Sequence, residues 1–128
     1  MTARDDLARL RHFDPDTEFR CGCGRSECPA PVRPHRLLGL YLDKTRDLYG
    51  QPIIVTSGNR CDFWNSEQGG EQDSEHAFAD GCVGADVRCR TSRDRALLLD
   101  ALRQAGVTRV GLYPGHLHVG VGDMLDAG

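Results

Sequence analysis

The chain is organised around three short segments: Ser74-Glu75-His76, Gly84-Ala85-Asp86-Val87 and His116-Leu117-His118-Val119. Residues two apart on a β-strand point to the same face, so His116 and His118 project together if residues 115–121 are extended. Imidazole and carboxylate groups are ordinary zinc ligands, and three protein ligands are typical of a catalytic zinc rather than a structural one. We therefore predict one metal site held by His76, Asp86 and His118, with His116 beside the metal.

Length and charge restrict the classes of protein to which the chain can belong. Its 128 residues are enough for one hydrophobic core, so we expect a single domain over residues 1–128 and a monomer. The net charge of -3 and the absence of a basic block argue against a nucleic-acid or membrane-surface partner. No apolar run is long enough to span a bilayer. The first residues lack the apolar core of a secretory signal, so we expect synthesis in the cytoplasm and export by another route.

Six cysteines leave three interpretations open. Cys21, Cys23 and Cys28 lie close together in sequence, and a structural zinc would need one more ligand. Alternatively, disulfides join this segment to the core if the protein acts outside the cell, or the thiols are free. The spacing is not that of a CxxC pair, so the sequence favours free thiols. The candidates for a fourth ligand are Cys61, Cys82, Cys89 and His35.

Hydrophobic periodicity predicts two long helices and four strands. Apolar residues recur at helical spacing over 35–48 and 92–104, and Gly50 and Gly106 follow these segments as helix-ending residues. A weaker helix is predicted over 2–12 and a short helical or looped piece over 63–65. Pro114-Gly115 indicates a hairpin turn. The expected class is α+β, with helices packed on one face of a small antiparallel sheet whose strands are 52–56, 84–89, 109–113 and 117–121.

Several segments together resemble one enzyme family. Thr56-Ser57-Gly58-Asn59-Arg60-Cys61 is similar to a "TSGYRC/S" motif, and the segments around His76 and Asp86 resemble a split "SxHxxGxAxD" motif. With the closing His116-Leu117-His118-Val119, they resemble the zinc D-alanyl-D-alanine carboxypeptidase family, especially its small phage and prophage members. Phe19-Arg20-Cys21-Gly22-Cys23-Gly24 is similar to a cysteine-containing segment near the start of those members. The resemblance covers about residues 18–121.

The resemblance implies a fold, a cofactor and a reaction. The fold would be of the Hedgehog/DD-peptidase type, with one Zn2+ held by His76, Asp86 and His118. Arg60 matches the substrate-facing arginine, and His116 matches a histidine that some members use beside the metal as a catalytic group. Ser74 is assigned to substrate binding or to the support of the site. The implied substrate is an amide bond of a peptidoglycan stem peptide, cut at the cell wall after release or carriage by a phage.

The chain departs from the family pattern at two positions. The first histidine and the aspartate are usually seven apart, whereas His76 and Asp86 are ten apart. Asp80 is therefore an alternative ligand, but we favour Asp86, which follows small residues and precedes an apolar one. Other branches have a carboxylate at the position of Gly115. This difference keeps two rival functions open, a non-catalytic zinc-stabilised binding module and a phage structural protein on the same fold.

Two acidic residues flank the first histidine, Asp73 and Glu75. We expect both to be solvated, and the alternative is that one of them accepts a hydrogen bond from an imidazole N–H and orients that ring.

Overall fold

A four-stranded antiparallel sheet forms the centre of the computed structural model, which describes residues 6–71 and 74–125. The strands pair in the order β1-β2-β4-β3 and are β1 (Val55–Ser57), β2 (Gly84–Arg88), β3 (Arg109–Tyr113) and β4 (His116–Gly120). The α-helices are α1 (Arg36–Tyr49), α2 (Asp62–Glu67) and α3 (Ser92–Ala105), and short 3-10 turns cover Leu7–Arg9, Glu75–Ala77 and Gly122–Met124. The predicted α+β class with a small antiparallel sheet is confirmed.

The hydrophobic core lies on one face of the sheet. Alternate residues of β2 and β4 point to this face because successive strand side chains point in opposite directions. They share one core cluster with apolar residues of α1 and α3, and all are almost completely buried: Ala85, Val87, Leu117, Val119, Leu38, Leu42, Leu98 and Leu102. The intervening residues of the two strands therefore face away from the core.

Local sequence determines where the two long helices begin and end. Thr91 caps α3, since its Oγ1 accepts a hydrogen bond from the Asp94 N–H at 3.0 Å. Gly50 and Gly106 end α1 and α3 in the left-handed conformation, with φ of 75° and 103°. The observed helices agree with the predicted ranges to within two residues. None of the helices described here is long and apolar enough to cross a membrane.

Two predicted elements are shorter than expected. The first strand was expected at 52–56, but the paired strand is Val55–Ser57 and its register against β2 is irregular. Pro52 has no N–H to donate to a ladder, and β1 is at the edge of the sheet. The predicted helix over 2–12 is only the 3-10 turn Leu7–Arg9 in the described region, and residues 2–5 lie outside it.

Asn59 is hydrogen-bonded to three parts of the chain. Its side chain is 1% exposed, and its Nδ2 donates hydrogen bonds to the carbonyl oxygens of Phe19 and Arg33, each at 3.0 Å. Its Oδ1 accepts a hydrogen bond from the Cys82 N–H at 2.7 Å. This buried amide, together with the His35 N–H that donates to the Cys82 carbonyl at 3.0 Å, therefore holds the irregular segment before α1 to the entrance of β2.

We predict that Asn59→Ala destabilises the protein by about 2 kcal/mol or more. The substitution leaves the Arg33 carbonyl and the Cys82 N–H without this partner, and each buried unsatisfied group costs about 1–3 kcal/mol. Urea unfolding measures the change. Gln51→Ala, at an exposed position, is the control and should change stability by less than about 0.5 kcal/mol. Equal stability of the two variants would contradict the role of Asn59.

Candidate metal centre

The pairing of β2 with β4 brings the central acid and histidine together. Asp86 lies directly opposite His118 in the ladder, on the face away from the core. Oδ1 of Asp86 is 3.0 Å from Nδ1 of His118, and Oδ2 is 3.9 Å from Nε2 of His116. Two strands therefore supply one carboxylate and two imidazoles to the same small region.

His76 enters this region from the 3-10 turn Glu75–Ala77. Ser74 precedes the turn, and its Oγ accepts a hydrogen bond from the His76 N–H at 3.2 Å. Nδ1 of His76 is 2.8 Å from the Gly58 carbonyl oxygen, and since a carbonyl can only accept, Nδ1 carries the proton. Nε2 is then left with a free lone pair, and it lies 3.4 Å from Oδ1 of Asp86.

Glu75 holds the other histidine in place. Its carboxylate is 8% exposed, and Oε1 lies 2.8 Å from Nε2 of His118. The Gly122 N–H donates to Oε2 at 2.9 Å, and Nε of Arg109 is 3.3 Å from Oε1. The expectation that Glu75 is solvated is wrong. Its carboxylate is buried and accepts a hydrogen bond from an imidazole, which was the alternative interpretation. Asp73 lies outside the described residues.

Three glycines make room for the Glu75 side chain. A Cβ atom at Gly84 would lie 2.7 Å from Cβ of Glu75, and one at Gly122 would lie 2.5 Å from Oε2. A Cβ at Gly120 would also collide with this carboxylate. The sequence shows that these three positions are glycines, but their spacing does not indicate that the Glu75 side chain fills the space between them.

The buried charges support one another. Burial alone would raise the pKa of Asp86, but its hydrogen bond with His118 and the adjacent His76 ring hold it well below its usual range. The pKa of Glu75 is likewise lowered despite burial, by the hydrogen bonds from His118 and Gly122. Burial lowers the pKa of His118, but its hydrogen bonds to both carboxylates outweigh this and raise it to about 9. Two ionised carboxylates thus lie beside the imidazoles.

The donor set fits a divalent metal ion. One ligand atom from each of His76, Asp86 and His118 lies within 4.8 Å of the other two. The remaining nitrogen of each imidazole is bonded to a carbonyl or a carboxylate, which is the arrangement that orients metal-binding histidines. Asp80, the alternative third ligand, is exposed in a turn and is not part of this group.

Arg60 lies against the carboxylate of the centre. Its side chain is 11% exposed, and its NH2 group is 3.4 Å from Oδ2 of Asp86. Nε donates to Oγ of Ser57 at 3.1 Å, and its backbone N–H donates to the His76 carbonyl at 2.7 Å. The guanidinium is therefore held in a fixed position on the wall of the centre.

The centre opens into a cleft of about 750 Å³. His116 lies at its edge, where its ring stacks on Tyr113 with centroids 4.9 Å apart and an angle of 4° between the planes. His116 is a third exposed, so it contacts both solvent and the centre. Arg60 and Ser74 also line this cleft. The sequence did not single out Tyr113, which belongs to the hairpin strand opposite His116.

The structure also decides which thiols lie together. Cys61 joins Cys21, Cys23 and Cys28 in one cluster. Among the other candidates for a fourth ligand, Cys82 and Cys89 are buried in the hydrophobic core, and the His35 ring caps α1 by accepting the Leu37 N–H at 3.1 Å.

The chain matches the model of a known protein family. The model of the family described as Peptidase M15 matches residues 11–121, a range that includes His76, Asp86, His116 and His118. No curated protein and no solved structure shows a significant match to the chain.

We predict that metal-free protein loses stability as pH rises from about 6.5 to about 9. The folded-state pKa of His118 is raised from 6.5 to about 9, so its contribution is complete below pH 6.5 and is lost as His118 deprotonates. The loss should be on the order of 1–3 kcal/mol, since one pKa unit corresponds to about 1.4 kcal/mol. Urea unfolding with a chelator present, measured across this pH range, tests the prediction.

The matched variants are Glu75→Gln and Glu67→Gln. Glu75→Gln removes one of the two carboxylates that raise the pKa of His118, so the decline should become shallower. Glu67 is exposed, and its substitution should leave the wild-type profile unchanged. The same pH profile in all three proteins would show that the Glu75–His118 contact does not carry this effect.

Proposed function

We propose that this chain, which belongs to the Peptidase M15 family, is a zinc-dependent metallopeptidase that hydrolyses an amide bond in peptidoglycan stem peptides. The observation that carries the proposal is the convergence of His76, Asp86 and His118 at the base of an open cleft, with both imidazoles oriented by outer hydrogen bonds. The peptidase class follows from the family. The zinc, the substrate and the roles of the residues are proposed.

The three converging side chains would hold the ion. His76 offers Nε2, His118 offers Nδ1 and Asp86 offers Oδ1, since the other imidazole nitrogens are engaged by Gly58 and Glu75. Zinc bound there would polarise the scissile carbonyl and lower the pKa of a water towards ~7. Glu75 keeps the proton of His118 on Nε2 and so directs the Nδ1 lone pair to the centre.

Arg60 is proposed to bind the substrate. A guanidinium presents a planar set of N–H donors that suits a peptide carbonyl or a terminal carboxylate. Its bonds to Ser57 and Asp86 fix the plane of this group at the cleft wall before substrate arrives. Ser74 already accepts a hydrogen bond from the His76 N–H, and its hydroxyl proton remains available to donate to substrate in the same cleft.

His116 is proposed as the group that moves the proton. Its Nε2 lies beside Asp86, and its partial exposure allows it to exchange protons with water. Stacking on Tyr113 limits the rotation of the ring. Gly115, where other branches have a carboxylate, lies in the tight turn between β3 and β4 with φ of 77°, a conformation that a side chain would strain. In this chain the imidazole of His116 therefore has the proton-transfer role that a carboxylate would have in those other branches.

The antiparallel sheet with the histidine and aspartate motifs on one face supports a Hedgehog/DD-peptidase type of fold. We also propose a single domain over residues 1–128, a monomer, and action at the cell wall after release from the cytoplasm or carriage by a phage. D-Ala-D-Ala carboxypeptidase and endopeptidase activities are both included in the proposed reaction class.

We predict that Asp86→Asn abolishes zinc binding at the centre and lowers kcat/KM by more than about 100-fold. Removing a partner of a metal ligand already costs about 10–100-fold, and Asp86 is proposed as a ligand itself. The measurements are zinc content and the release of peptide or D-alanine from purified stem peptides, with and without chelator. Asp80→Asn is the matched control and should retain both properties. The opposite result would make Asp80 the ligand.

We predict that His116→Ala lowers kcat by about 10²–10⁴-fold while zinc stays bound, since positioned proton transfer contributes a factor of this size. Elemental analysis and a stem-peptide assay measure the two quantities. The control is His12→Ala, because His12 pairs with Asp47 away from the cleft. Wild-type protein that binds zinc at the centre but turns over no stem peptide would favour the non-catalytic binding module instead.

A further inference from the structure

Four cysteine thiols converge at a second location, outside the cleft. Cys21, Cys23 and Cys28 belong to an irregular segment, and Cys61 precedes α2. Their four sulfur atoms all lie within 4.8 Å of one another. Three of the thiols are partly exposed and Cys61 is buried, so the cluster lies at the surface and is accessible to a metal ion from solvent.

The spacing of the sulfurs fits a metal ion better than disulfides. Zn–S bonds of about 2.3 Å in a tetrahedron place neighbouring sulfurs about 3.8 Å apart. The sulfurs of Cys21 and Cys61 are 3.7 Å apart. Disulfides would bring paired sulfurs to about 2.05 Å, whereas all four cysteines are free in this structure.

Each sulfur also receives a backbone N–H. The Cys61 N–H points at the Cys21 sulfur at 3.3 Å, the Arg25 N–H at Cys23 at 3.5 Å, and the Trp64 N–H at Cys61 at 3.4 Å. The backbone N–H of Ala30 is directed at the Cys28 sulfur. A neutral thiol is a weak acceptor, whereas the thiolate that binds a metal accepts such N–H groups well. Burial raises the pKa of Cys21 and Cys28 in the metal-free chain, so metal binding must displace their protons.

A positive charge accompanies the cluster. Nη2 of Arg25 lies 3.2 Å from the Cys61 sulfur, and the guanidinium stacks over the Phe63 ring at 4.5 Å from its centroid. Four thiolates around a divalent ion carry a net charge of about -2, which a nearby guanidinium offsets. The surroundings are therefore those of an anionic metal–thiolate site.

We propose that Cys21, Cys23, Cys28 and Cys61 form a structural site for a thiophilic divalent metal ion such as zinc, separate from the centre in the cleft. Four protein ligands leave no open position, which is the pattern of a structural site. Binding exchanges the thiol protons for the ion and releases them to solvent. The ion ties the irregular segment to Cys61, whose neighbour Arg60 lies against Asp86.

The test uses the full chain, purified in reducing buffer without chelator, and counts zinc by elemental analysis. Wild-type protein should hold about two zinc ions, and a Cys23→Ser/Cys28→Ser variant about one. A His76→Ala/His118→Ala variant should retain the cysteine-bound zinc. If the cleft binds no zinc, the wild-type chain should hold about one zinc ion and the cysteine variant none. The zinc counts therefore distinguish failure of the cleft site from failure of the cysteine site. Cys89→Ser, outside the cluster, is the matched control and should retain the wild-type count.

Cobalt(II) gives a readout that needs no substitution. Added to metal-free wild-type protein, it should produce the near-ultraviolet sulfur-to-cobalt charge-transfer absorption of a tetrahedral thiolate site, which a His/Asp site lacks. Trp64 is the only tryptophan in the sequence. Its indole lies against Gly22, between two cysteines of the cluster, since a Cβ added there would lie 3.0 Å from Nε1. Its fluorescence should therefore respond to zinc at the cluster. Absence of the charge-transfer band, or a Cys21–Cys61 disulfide in freshly purified chain by mass spectrometry, would overturn the proposal.

Discussion

The register between β2 and β4 is the constraint on which the rest of the centre depends. It sets Asp86 opposite His118 on one face while Ala85, Val87, Leu117 and Val119 enter the core on the other. A slip of one residue would exchange the two sets, because side chains alternate along a strand. Burial of the four apolar side chains therefore also fixes the positions of Asp86 and His118. The stability of the core and the geometry of the centre are consequences of one pairing.

Charges can remain beside the core because each has a partner. Glu75 bonds His118, and His118 in turn lies against Asp86, so carboxylate and imidazole alternate. Among the described residues, no buried side-chain nitrogen or oxygen lacks a hydrogen-bond partner. An unpaired buried charge would cost far more than a paired one. The network thus holds ionised groups ready for a cation while the fold stays intact.

One segment of five residues links the irregular segment before α1, the cleft and the thiol cluster. The Gly58 carbonyl orients His76, and a Cβ at Gly58 would lie 2.7 Å from the Phe19 backbone, which explains the need for glycine. The amide of Asn59 holds the irregular segment before α1 through side-chain hydrogen bonds. The guanidinium of Arg60 is held at the wall of the cleft by Ser57 and Asp86. The segment comprises Ser57, Gly58, Asn59, Arg60 and Cys61, and it joins the wall of the cleft to the thiol cluster through consecutive residues.

The grouping of His76, Asp86 and His118 was predicted from a resemblance to family motifs, whereas the sequence by itself determined the class of fold, the two long helices and the hairpin. These follow from local rules, since helical periodicity, strand alternation and capping residues act between neighbours in the chain. Only the tertiary structure decided that Glu75 is buried against His118, that Asp86 rather than Asp80 lies beside the histidines, and that Cys61 completes the thiol cluster. Glu75 and His118 are 43 residues apart, and Cys21 and Cys61 are 40 apart. Such contacts depend on how whole elements pack, because composition and spacing carry no information about which distant side chains will share one space.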